Sequence, residues 1–106
     1  MLVKKKDTQV FRKNGCTVYE YGGTKNLDIG TAEIETKYPI RGWARNKKVD
    51  ETYFILSGGG KVYIGDEVYK VEKDDLVMIE KGKWYRAEGE MRVLMACSPA
   101  WSSKQH

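Results

Sequence analysis

Short runs of β-branched and aromatic residues, broken by glycine, lysine and acidic turn signals, fill most of this chain. No window of about a dozen residues carries the i, i+3, i+4 stripe of an amphipathic helix. The pattern therefore predicts an all-β chain, with strands at residues 9–11, 17–21, 27–34, 38–44, 51–57, 60–64, 67–71, 76–79, 84–88 and 92–97. Strands at this spacing suit a sandwich or barrel. The clearest local signal is the hairpin across Gly65-Asp66, where two alternating runs flank a two-residue turn that needs positive φ. Gly58-Gly59-Gly60 predicts a sharp turn or bulge. A phosphate cradle is the rival reading of these glycines, but no helix and no Lys-Ser/Thr pair follows them. Asp75, before the apolar run 76–79, is expected to accept bonds from local turn amides. After Pro99 the chain ends in a polar tail, and residues 102–106 are expected to fray.

Composition narrows this to one compact domain spanning residues 1–106, with residues 1–13 as an N-terminal arm. Hydrophobic residues make up 41% and charged residues 32%, a soluble balance rather than a disordered or membrane one. The basic start Met1-Leu2-Val3-Lys4-Lys5-Lys6 is not followed by an apolar run, and no stretch is long and apolar enough to span a membrane, so the chain reads as cytoplasmic. Cys16 and Cys97 are far apart and form no CxxC, which favours reduced, buried thiols.

Charge is uneven along the chain. Residues 1–50 hold 11 Lys/Arg against 6 Asp/Glu, whereas residues 51–106 hold 8 against 9. Lys4, Lys5, Lys6, Arg12, Lys13, Arg41, Arg45, Lys47 and Lys48 could attract an anion. No base-stacking signature or recognition helix accompanies them, so a solvated basic surface is favoured over nucleic-acid binding.

Two motifs carry a resemblance. The first is Glu51-Thr52-Tyr53-Phe54-Ile55-Leu56-Ser57-Gly58, and the second runs from Asp75 through Gly82 to Tyr85. Together they resemble the cupins, whose first motif is HxH, three or four residues, Glu, six residues and Gly. Glu51 and Gly58 fit its second half. The histidines should fall at Arg45 and Lys47, or at Ala44 and Asn46 with the longer gap, and neither choice supplies an imidazole. In the second motif Asp74, Glu80, Gly82, Tyr85 and Gly89 stand where the family has Gly, Pro, Gly, His and Asn, so only the turn glycine is kept. The resemblance covers about residues 44–101 and implies a jelly-roll β-barrel, also called a double-stranded β-helix. It also implies a small-molecule ligand and a homodimer formed through edge strands, with the N-terminal arm as a capping segment.

Strand alternation puts Glu51, Tyr53 and Ile55 on one face, which the resemblance turns into the barrel, with Tyr85 entering from across it. Glu51 and Tyr85 are the candidate acid and base. Tyr53, Trp84, Trp43, Arg45, Asn46 and Lys47 are the candidate ligand contacts. The only histidine is His106, so no histidine-held metal and no other cofactor is expected, although a departure using Cys97 is conceivable. Three functions follow. The chain binds a small polar or anionic molecule, sugar-like or carboxylate. Alternatively it is a sugar or sugar-phosphate isomerase or epimerase in which Glu51 and Tyr85 shuttle protons, or a homodimeric interaction module with a vestigial cavity. Metal-dependent dioxygenation is disfavoured, because in cupins that perform it histidines hold the iron. A structural role for Glu51, paired with Arg45, Lys47 or Arg86, is the alternative to catalysis.

Overall fold

The computed structural model describes residues 1–13 and 15–100. His106 and the tail expected to fray at 102–106 lie outside those residues. After a short 3-10 turn at Lys5–Asp7 come ten strands: β1 Gln9–Lys13, β2 Cys16–Gly23, β3 Asp28–Ile34, β4 Lys37–Tyr38, β5 Ala44–Arg45, β6 Asp50–Ile64, β7 Glu67–Glu72, β8 Leu76–Ile79, β9 Trp84–Glu88 and β10 Met91–Ser98. Every strand pair is antiparallel. Among the described residues no helix is long and apolar enough to cross a membrane.

The chain is all-β, and one strand joins its two layers. The first half of β6 pairs with β10 and β8, extending a sheet that runs β1-β2-β3-β10-β6-β8. Its second half pairs with β7 and β9, and β9 carries β4 and β5 along its other edge. The layers close over a core that includes Ile34, Ile55, Val62, Val77, Ile79, Ala87 and Val93.

The two strands expected at 51–57 and 60–64 are thus one, because glycine lets the chain bend without leaving the ladder. Opposite β10, Ile55 faces Val93 and Ser57 faces Arg92, which leaves Leu56 as the extra residue of a bulge. That residue changes the parity. Glu51, Tyr53 and Ile55 point inward before it, and Val62 points inward after it. Gly58 takes φ +74°, and a Cβ on Gly60 would collide with the Glu88 carbonyl oxygen, so both positions need glycine.

A second correction concerns the strand expected at 38–44. Pairing stops at Tyr38 and resumes at Ala44, because Pro39 has no N–H for the ladder and residues 40–43 lie exposed. The hairpin at Gly65-Asp66 has its two-residue turn, with Ile64 opposite Glu67 and Gly65 at φ +56°. Asp75 Oδ2 accepts the Glu72 amide at 2.8 Å.

Candidate functional site

A cavity of about 190 Å³ opens between the layers. On one wall the ladder aligns Glu51 of β6, Cys97 of β10 and Asp28 of β3 in a single row across three neighbouring strands. All three line the cavity. The next row holds Tyr53, Met95, Gly30 and Glu20. Tyr85 enters from β9, in the other layer, and Asn46 follows β5. Phe11 and Lys13, both exposed on β1, complete the rim.

Glu51 is 7% exposed and holds the polar centre together. Its Oε1 accepts from Asn46 Nδ2 and from the Tyr85 hydroxyl, each at 3.1 Å. Its Oε2 accepts from the Cys97 thiol at 3.3 Å. Burial raises the Glu51 pKa against the pull of these three donors, and nearby Asp28 raises it further. Burial and the adjacent Glu51 carboxylate push Tyr85 and Cys97 upward as well, so both stay protonated donors. Tyr53 packs edge-on against Tyr85, with ring centres 6.2 Å apart, and their hydroxyls are hydrogen-bonded. Glu20, whose Oε1 accepts the Gly22 amide at 2.9 Å, is hydrogen-bonded to Asp28 and is also raised, chiefly by burial. Burial pushes the Cys16 thiol up to about 11. Both cysteines are free and buried.

Four of the residues singled out in the sequence, Glu51, Tyr85, Tyr53 and Asn46, come together around this cavity. Trp43, Arg45, Lys47 and Trp84 do not line it. Strand parity is the reason: Ala44 lies opposite the buried Tyr85, so Arg45 and its partner Trp84 take the outer face. The Arg45 guanidinium sits 4.5 Å over the Trp84 ring. Arg86 lies between Trp43 and Tyr63, at 4.9 and 4.4 Å, and pairs with Glu88 at 3.6 Å. Glu51 is bonded to none of the cations proposed as its partners. Glu20, Asp28 and Cys16 also line the cavity, and no motif in the sequence marks them. Glu20 shares parity with Cys16 and Val18, but Thr17, Tyr19 and Tyr21 on the other parity leave the inward face of β2 open until it pairs with β3, which pairs in turn with β10.

The donor set does not suit a transition-metal ion. At the family's histidine positions stand outward Arg45 and Lys47, or Ala44 and Asn46, together with Tyr85. Among the described residues no group of three His, Cys, Asp or Glu is placed so that it could hold a metal ion. The phenol and thiol that meet Glu51 would each have to lose a proton that their surroundings hold.

A jelly-roll barrel with an inward glutamate on the motif strand is the architecture of the cupins, and a cupin-domain family model matches residues 32–97. The chain belongs to the cupin family. A search of curated proteins finds no match. Among solved structures, PAC13 from Streptomyces, a Tyr-to-Phe form with uridine, superposes at TM-score 0.91 with 19% identity over 99% of this chain and 86% of that one. Pac13 is described as a nucleoside dehydratase. KdgF from Halomonas sp. gives TM-score 0.83 and 12% identity, covering 98% and 97%. An RmlC-like cupin from Shewanella frigidimarina gives 0.79 and 12%, covering 93% and 90%. At these identities the likeness shows the fold.

Proposed function

We propose that the cavity takes a small hydroxylated molecule and that Glu51 and Tyr85 move a proton on it. The observation that carries this reading is the 3.1 Å bond between the Tyr85 hydroxyl and Glu51 Oε1, with both groups facing one open cavity. A vestigial cavity would be filled by its own side chains, and this one is not. Its volume lies below the roughly 300–1,000 Å³ of drug-sized pockets, which suits a ligand no larger than a free sugar or a nucleoside.

The chemistry follows from the two groups. A carboxyl whose pKa is raised by burial holds a proton more readily than an exposed one, which suits it to take a proton and return it. When Glu51 takes the proton from a carbon next to a carbonyl, the C–H electron pair moves onto the carbonyl oxygen. Tyr85 then stabilises that oxygen as a neutral hydrogen-bond donor. Return of the proton to the former carbonyl carbon, while the adjacent hydroxyl becomes the new carbonyl and its proton passes to the old carbonyl oxygen, isomerises the ligand. Departure of a β-hydroxyl with a proton, as water, dehydrates it. The fold likeness to a nucleoside dehydratase, seen with uridine, supports the second outcome and makes nucleosides the first compounds to try.

Proton NMR in D2O tests the reading. Incubation with a panel of aldoses, ketoses and nucleoside aldehydes should replace one carbon-bound hydrogen by deuterium, and Glu51→Gln should slow this by about 10²–10⁴-fold. No exchange in any compound, or equal exchange in the variant, would remove the acid–base role.

A further inference from the structure

Charge is distributed through the cavity in a way that the acid–base pair does not require. Asp28 and Glu20 stand on β3 and β2, on the layer that faces Tyr85, and are hydrogen-bonded to each other. With Glu51 they give the lining three carboxyl groups. The only cation among the described lining residues is Lys13, which is exposed at the rim. Arg45 and Lys47, which could have neutralised an anion, point away. Glu20 is seated closely over Gly30, where a Cβ would sit 3.0 Å from the Tyr19 carbonyl oxygen, 3.4 Å from Glu20 Oε2 and 3.5 Å from Met95 Cε, so glycine at this position leaves the room that the Glu20 carboxyl occupies.

From this geometry, and resting on the ligand cavity proposed above, we infer that Asp28 and Glu20 determine specificity. They accept bonds from ligand hydroxyls and exclude carboxylates and phosphates, so the substrate class is a neutral polyol such as a free sugar or nucleoside. Carboxyl oxygens accept from adjacent hydroxyls, whereas an anionic ligand would meet three acidic groups with one exposed lysine at the rim to offset them. Sugar phosphates and sugar acids are therefore the wrong ligands, although the basic composition of the chain suggests the reverse.

Isothermal titration of the full chain with two matched pairs, uridine against uridine 5′-monophosphate and D-galactose against D-galacturonate, tests the assignment. The neutral member of at least one pair should bind, and its anionic partner should bind more than about tenfold more weakly. Asp28→Asn, and separately Glu20→Gln, should narrow that ratio while weakening the neutral ligand. Both variants preserve side-chain shape, and a melting curve confirms that each is folded. An anionic member that binds equally or better overturns the specificity assignment and leaves the ligand cavity standing. Failure of all four compounds to bind the folded wild-type chain counts against both.

Discussion

Glu51 is held in an apolar wall by three neutral donors and no cation, which fixes its position without supplying a counter-charge. Its folded pKa is raised, so between the ordinary carboxyl value and the raised one the folded chain binds more protons than the unfolded chain. The sign follows: Glu51 favours folding at low pH, and that contribution is lost as pH rises through the window. Glu51→Gln should therefore melt with wild type near pH 4 and above it at pH 7–8, by about 4–8 °C for each kcal/mol of relieved desolvation. Calorimetry across that range checks this, and a Gln variant that melts lower at neutral pH contradicts it. Tyr85→Phe removes one of the two donors to Oε1 and keeps the ring against Tyr53. Exchange activity should fall by about 10²-fold or more, with melting within about 5 °C of wild type. An unchanged rate would reassign Tyr85 to packing. The resemblance to the two cupin motifs, together with strand alternation, marked Glu51, Tyr53, Asn46 and Tyr85 in the sequence. Glu20 and Asp28 were not marked, because which face of β2 and β3 looks inward is settled by pairing with β10, not by any local motif.

At the scale of elements, alternation and turn chemistry made most strands legible, and the failures came where backbone connectivity overrode side-chain pattern. The hairpin at Gly65-Asp66 was readable because two residues suffice to encode it. The continuity of β6 through Gly58-Gly59-Gly60 was not, since whether glycines end a strand or bend it depends on the partners waiting on either side. The outward turn of Arg45 and Trp84 has the same origin: β5 is only two residues long and takes its parity from β9. Gly60 gives this account a sharp test. Gly60→Ala would drive a methyl into the Glu88 carbonyl and part β6 from β9, carrying Tyr85 away from Glu51. A loss of about 1–3 kcal/mol or more is expected, seen as a melting point lower by about 4–8 °C per kcal/mol. A variant as stable as wild type would show that β6 and β9 lie farther apart than described here.

Over the whole molecule charge is sorted from outside to inside. The chain carries a formal +4, with Lys4, Lys5, Lys6 and Arg12 on the surface, while the cavity concentrates carboxyl groups. Composition showed the first and hid the second. The cupin fold was legible from two motifs even though most of their polar residues are replaced, because glycine placement and apolar alternation specify the barrel while the polar residues specify its chemistry. A barrel whose centre is a carboxyl, a phenol, an amide and a thiol should not depend on a transition metal. Dialysis against EDTA should leave ligand binding and melting unchanged, and restoration of lost binding by one equivalent of zinc, iron, nickel or manganese would contradict this.

The ionisation of Glu51 is the property on which the proposed chemistry rests, and ¹³C NMR of carboxyl-labelled glutamate reads it directly, with Glu51→Gln assigning the resonance. The Glu51 carboxyl carbon should titrate above the roughly 4.3 of an exposed glutamate and shift when a neutral polyol binds. A midpoint at or below that value, indifferent to ligand, would leave Glu51 as a structural carboxylate and the cavity without its base.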